Sequence, residues 1–176
     1  MLGVNEPLSP GANDDGETRV SAVRFFQAWT QKNPNSVFAA RSQFNLGVGA
    51  LDATVNAEPP DGRFLSWRGQ AQYVRLLAPE TLLVIRSDVQ LAARTLVPLE
   101  QFAVGGLRSV RGYRQDFLLT DNGALVSAEA LFPIVRLGEE GVIQVVPFID
   151  FGTGWNSSGV EDPEDKTLLG TGVGLQ

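Results

Sequence analysis

The sequence predicts an all-β fold, an antiparallel meander of about seven long strands of the kind that forms part of the wall of a transmembrane β-barrel. Three observations carry that expectation. Apolar and polar residues alternate with period two over most of the 176 residues, the pattern of strands with one apolar and one polar face. Most alternating segments run roughly 11 to 15 residues, whereas strands of soluble sheets usually have five or six and a tilted transmembrane strand needs about 9 to 11. The connections also alternate in length. Residues 32–35, 78–80 and 137–141 are short, and 51–63, 104–122 and 156–166 are long, the layout of an outer-membrane barrel with tight turns on one side and large loops on the other.

Residues 1–17 are polar and rich in turn formers, with Pro7, Pro10, Gly11 and the run Asn13-Asp14-Asp15-Gly16-Glu17, and read as a loop. The acidic run lacks the spacing of a helical-hand calcium loop and reads as a solvated turn. Thr18 to Gln31 is rich in Val, Phe and Trp and reads as a strand, although its poor alternation also fits an amphipathic helix. After the turn at 32–35 the pattern sharpens: Phe38, Ala40, Phe44, Leu46 and Val48 share one parity, and Arg41, Gln43 and Asn45 the other. A third strand from about Phe64 to Leu77 sets Leu65, Trp67, Ala71 and Tyr73 against Arg68, Gln70 and Gln72. A fourth, about Thr81 to Thr95, sets Leu83, Ile85, Val89 and Leu91 against Arg86, Asp88, Gln90 and Arg94. Gly123 to Val135 alternates Ala124, Val126, Ala128, Ala130, Phe132 and Ile134 with Ser127 and Glu129. Val142 to Trp155 opposes Ile143, Val145, Ile149 and Phe151 to Gln144, Phe148, Asp150 and Gly152, and a last strand starts at Thr167. Barrel geometry places the apolar parity toward lipid. Arg41, Arg68, Arg86, Asp88, Arg94, Glu129 and Asp150 then point into the lumen, where charges stay hydrated or paired. Trp29, Trp67, Tyr73 and Trp155 are candidates for the aromatic girdles.

Composition narrows the chemistry. With 20 acidic and 14 basic side chains the net charge is −6, which disfavours a nucleic-acid-binding surface. Cysteine is absent, so disulfides, thiolate metal sites and a cysteine nucleophile are excluded. Histidine is absent too, which removes the commonest general base, the Ser-His-Asp triad and most zinc sites. No run of 18 apolar residues forms a membrane-spanning helix. The first residues show neither a basic nor an apolar signal region. Neither a metal, a small-molecule cofactor nor a catalytic residue is expected.

The longest connection, Val104 to Asn122, exceeds the two to five residues of a usual hairpin loop, and such loops tend to be functional or disordered. Val104, Leu107, Val110, Tyr113, Phe117 and Leu118 among its glycines and arginines point to a loop folded back on something. Its centre is Val110-Arg111-Gly112-Tyr113, an always-charged planar fork of donors suited to carboxylates. Glu129 and Asp150 lie on the lumen parity of the next two strands, and Phe148 is two residues from Asp150. The expectation is a loop folded into the lumen, with Arg111 paired to Asp150 and Glu129, Phe148 packed on the guanidinium, and Gly112 and Gly152 giving room where loop and wall meet.

Gly105-Gly106, the Val110-Arg111-Gly112-Tyr113 motif, the strand carrying Glu129 and the Phe148-x-Asp150-x-Gly152 strand together resemble the C-terminal barrel of an outer-membrane superfamily. That superfamily includes barrel-assembly insertases and the transporters of two-partner secretion. The stretch from Glu100 to Ile134 looks most like the haemolysin-activator or haemagglutinin-transporter branch, and the likeness covers nearly the whole chain.

The resemblance implies a sixteen-stranded barrel preceded by a signal peptide and periplasmic POTRA domains. This chain would supply strands eight to fourteen as a fragment lacking the rest. It implies an outer-membrane location for the full-length protein, contact with membrane lipid, and export of an unfolded partner exoprotein without nucleotide or metal. Two other readings stand beside it. One is an insertase of the same superfamily, disfavoured by the compact loop after Thr95. The other is a soluble β-fold hydrolase using Glu129 and Asp150 as paired carboxylates. Gly170-x-Gly172-x-Gly174, with no helix after it, reads as lumen-facing strand positions and not as a nucleotide loop. The piece alone, with two unpaired edges, is not expected to form a pore.

Overall fold

The computed structural model describes residues 9–13, 15–138, 141–157 and 159–176. Residues 1–8 of the N-terminal loop, Asp14 of the acidic run, and Glu139 and Glu140 of the third short turn lie outside the described residues. The chain forms one seven-stranded antiparallel sheet of β1 (Ser21–Asn33), β2 (Ser36–Val48), β3 (Leu65–Ala78), β4 (Thr81–Ala92), β7 (Asn122–Arg136), β8 (Val142–Trp155) and β9 (Thr167–Leu175), in that order. A two-stranded hairpin, β5 (Phe102–Val104) with β6 (Leu118–Thr120), interrupts the longest connection. Among the described residues no helix is long and apolar enough to cross a membrane, a statement that does not bear on strands.

The register of the ladder fixes which side chains share a face. Arg41, Gln70, Asp88, Leu125 and Gly152 are aligned across β2, β3, β4, β7 and β8. The next row of that face holds Gln72, Arg86, Ser127, Asp150 and Gly170. The opposite face carries Phe25, Trp29, Phe44, Leu65, Leu91, Val126, Ile149, Phe151, Leu169 and Val173, all large and all exposed. A soluble sheet would cover such a face; a continuous exposed apolar band suits hydrocarbon. The weak alternation of the first strand arises on both faces: Gln27 and Gln31 share the outer parity with Phe25 and Trp29, and on the inner face Phe26 stacks under the Arg41 guanidinium, 4.4 Å from the ring centroid.

Several boundaries differ from the sequence reading, each for a local reason. The first strand runs Ser21–Asn33, and the first turn shrinks to Pro34-Asn35, because Lys32 and Asn33 continue the ladder opposite Val37 and Ser36. The fourth strand stops at Ala92 and not Thr95. Asn122 Oδ1 takes the Ala92 N–H at 2.7 Å and Asp121 Oδ1 takes that of Leu96 at 2.9 Å, so side chains replace the ladder partners. Arg94 therefore lies in the connection and is not a wall residue. The long loop spans 93–121, wider than 104–122, and contains the β5–β6 hairpin and a short 3-10 turn at Pro98–Glu100.

The three long connections emerge at the same end of the sheet, and the second is tied to the third. Asp121, fully buried, accepts from Leu96 N with one oxygen and from Ser157 N, at 2.9 Å, with the other. In the connection between β2 and β3, Asp61 is fully buried and accepts from Arg63 N at 2.8 Å, Arg63 Nε at 2.8 Å and Asn56 N at 3.3 Å. Burial pushes the Asp61 carboxyl up, but the bonds from Arg63 and from the Arg63 and Asn56 amides together outweigh it and leave the carboxyl below its ordinary value. A depressed carboxylate stabilises the fold above its unfolded pKa and loses that contribution as pH falls through the folded one. Amide exchange in residues 54–63 is therefore expected to stay slow from neutrality down to the ordinary aspartate range, about pH 4, and to accelerate only below it. Asp61→Asn should abolish this acid step, and an unchanged step in that variant refutes the assignment.

Candidate functional site

Two rows of the inner face of β7 and β8 build a receptor. Ser127 and Asp150 are direct cross-strand partners, and so are Glu129 and Phe148 one row away. A two-residue offset on a strand returns a side chain to the same face. Two acids, a hydroxyl and an aromatic ring therefore form a compact array with no contribution from the loop.

The loop then delivers one guanidinium onto it. Arg111 donates Nε and Nη2 to the two oxygens of Asp150, each at 2.7 Å, a bidentate pair, and its backbone N–H adds a third bond to Asp150 at 3.1 Å. Its Nη1 donates to Glu129 at 3.0 Å, and its Cζ lies 3.6 Å from the centroid of the Phe148 ring. Ser127 donates to Asp150 Oδ1 at 2.7 Å, and Arg86 on β4 binds the remaining Glu129 oxygen at 2.8 Å. Asp150 is 0% exposed and the Arg111 side chain 21%. Taking a carboxylate out of water is costly unless charge and hydrogen bonds replace it, and here two arginines face two acids with both oxygens of each acid engaged.

The rest of the motif seats the loop. Val110 is fully buried in an apolar cluster with Phe102, Val104, Leu118 and Leu168, against which Tyr113, Phe117 and Leu125 pack. This cluster lies on the otherwise polar face, and glycines on the wall make space for it. A Cβ at Gly123 would run into the Phe102 ring, one at Gly152 would come within 2.5 Å of Val104 and 2.8 Å of Val110, and one at Gly170 would strike the Arg111 carbonyl. Tyr113 stacks edge-on with Phe117 at 5.5 Å between centroids, and its hydroxyl donates to the Leu169 carbonyl at 3.4 Å. Gly112 differs from the sequence reading. A Cβ there would meet nothing within 4 Å, and what it supplies is a φ of 95°.

The structure thus brings Arg111, Glu129, Phe148 and Asp150 into one cluster, with Gly152 beside it and Val110 and Tyr113 anchoring the loop. Sequence reasoning passed over Ser127 and the binding role of Arg86. Both had a signal, because Ser127 is two residues before Glu129 on the same parity and Arg86 was already on the inner face. Nothing in the sequence alone set their strands in register. The oxygens of Glu129 and Asp150 are taken up by arginines and Ser127, so neither carboxylate is poised for a hydrolytic partnership. Among the described residues no group of acidic side chains is arranged to hold a metal ion.

Long strands, an exposed apolar outer face and a long loop ion-paired to the inner face define a section of the wall of a transmembrane β-barrel. The comparisons with known proteins identify which one. The family of haemolysin secretion/activation proteins ShlB/FhaC/HecB matches over residues 14–176, and the chain belongs to that family. It is 27% identical over 117 residues to the outer membrane transporter CdiB of Escherichia coli O6:K15:H31 (strain 536 / UPEC), a match covering 66% of this chain. It is 26% identical over 161 residues, 89% of the chain, to CdiB of Dickeya dadantii (strain 3937). The chain spans 20% and 29% of the lengths of these two relatives. Among solved structures it resembles CdiB from Escherichia coli at a TM-score of 0.72 and 25% identity, covering 83% of this chain and 28% of that one. CdiB from Acinetobacter baumannii, at 0.67 and 24% identity over 86% of this chain and 26% of that one, shares the fold. The family is one of outer-membrane transporters, and the outer membrane is where this wall belongs.

Proposed function

We propose that the full-length protein to which this chain corresponds is a two-partner secretion pore, passing an unfolded exoprotein from the periplasm to the outside. The seven-stranded sheet would be strands eight to fourteen of a sixteen-stranded barrel whose outer face meets lipid, with POTRA domains on the periplasmic side receiving the substrate. The single observation that carries the reading is the loop tip anchored by Arg111 on the inner wall. In a closed barrel that anchor lies inside the lumen and holds the loop along the passage. Its exclusion of water from Asp150, and its use of a planar donor fork, make it a fixed part of the wall and not a solvent-facing strand connection. Family membership supports export over membrane insertion of other barrels.

The test is secretion. The full-length protein and a candidate partner exoprotein are co-expressed in a Gram-negative host lacking both, and the culture medium is assayed. Exoprotein in the medium only when the transporter is present is the expected result. Retention in the periplasm, accompanied by a general rise in the host's outer-membrane barrel content, would favour the insertase instead.

A further inference from the structure

The inner face carries more positive charge than it neutralises. Asp88 accepts from Arg68 Nε and Nη2 at 3.0 and 2.7 Å, Glu129 is shared by Arg86 and Arg111, and Asp150 belongs to Arg111. Arg41 and Arg108 are exposed and form no ion pair with a carboxylate among the described residues. Arg41 donates to the Gln43 side chain at 2.7 Å and lies over Phe26, contacts that fix its guanidinium without cancelling its charge. Arg108 projects from the loop tip, three residues before Arg111. Both line one open groove of about 320 Å³, floored by Gln70, Gln72 and Asp88 and bordered by Arg86. The chain as a whole carries −6, so this surplus is a local property of the face and not a consequence of composition.

We infer that this groove is a contact site for extended, carboxylate-bearing segments of the exported polypeptide, with Arg41 and Arg108 as the charge contacts. The inference rests on the reading of this face as the lining of the passage. A guanidinium fork matches a carboxylate in shape as well as charge. Gln70 and Gln72 stand two residues apart on one strand, about 6.6 Å, which is the repeat of same-side groups in an extended peptide. Gln70 gives its amide N–H to Asp88 at 3.0 Å and keeps its oxygen for a passing N–H. Exposed arginines in water attract acids weakly and in a salt-sensitive way, which suits a surface that must release what it touches.

The experiment uses the full-length protein in planar lipid bilayers under a KCl gradient, with a poly-glutamate peptide as the probe. Relative to wild type, R41Q/R108Q is expected to lower the chloride-to-potassium permeability ratio roughly twofold and to weaken low-salt block by the peptide roughly tenfold. R41K/R108K, which keeps the charge, should retain most of both. Heat-modifiable migration on gels checks that each variant is a folded barrel. Open channels whose selectivity and peptide block are the same in wild type and R41Q/R108Q overturn the inference and leave the pore reading intact. A folded wild-type barrel that never conducts overturns the pore reading and this one with it.

Discussion

Replacing Asp150 by alanine is expected to release the long loop from the wall and to stop export by the full-length protein. Asp150 is buried and accepts four hydrogen bonds, three of them from Arg111. Its removal leaves a guanidinium only one-fifth exposed with a single carboxylate partner, Glu129 at 3.0 Å, which Arg86 already holds. Breaking a buried ion pair from one side costs about 3–5 kcal/mol, because the abandoned charge stays desolvated. On that scale the docked loop loses about two to three and a half powers of ten in population. Glu129→Ala removes one bond and spares the bidentate pair, so its effect should be distinctly smaller. Amide exchange across residues 109–113 in the full-length protein, read beside secretion, checks the ordering. Asp150→Arg should behave like the alanine variant or worse, and combining it with Arg111→Asp should restore protection only in part. The reversed pair regains its charges but loses the stack on Phe148 and the bond from the Arg111 backbone. Full protection and full export in Asp150→Ala would show that the pairing holds nothing in place.

Most of the fold was legible because its signal is local. Period-two alternation reports which face each residue occupies without any knowledge of its neighbours, and the outward row of Val126, Phe151 and Leu169 can be read strand by strand. The spacing of the Arg111 motif, Glu129 and Asp150 carried the rest, through a family resemblance. What stayed hidden depends on cross-strand register and on loop packing. Ser127 faces Asp150 only because β7 and β8 pair as they do, and Arg86 reaches Glu129 only because β4 is joined to β7 across a 29-residue excursion, residues 93–121. The β5–β6 hairpin has three residues per strand, too few for periodicity to declare. Its presence was written instead in the wall, where Gly123, Gly152 and Gly170 occupy inner positions on three adjacent strands. Missing side chains on one face of consecutive strands signal that something lies close against it.

That footprint leads to the second large effect, Gly152→Val. β8 is held on both sides by long ladders to β7 and β9, so the wall cannot retreat to admit a side chain. Even the first carbon would sit 2.5 Å from Val104 and 2.8 Å from Val110, both fully buried, so the loop hairpin and the motif must move together. Inserting bulk into a packed core typically costs about 1–3 kcal/mol or more, and here the relaxation open to the molecule is undocking. Valine is also the better strand former, so the ladder itself should not weaken. Heat-modifiable migration of the full-length barrel is therefore expected to persist while protection of residues 102–113 and export are lost. Gly112→Ala provides the contrast. No neighbour obstructs its methyl, and it pays only for the positive φ, of order 1–3 kcal/mol, inside the loop tip. It should loosen residues 109–113 and leave the β5–β6 hairpin protected. If Gly152→Val instead left the hairpin and tip as protected as wild type, the apolar footprint would be irrelevant to docking and the Arg111 cluster would have to hold the loop alone.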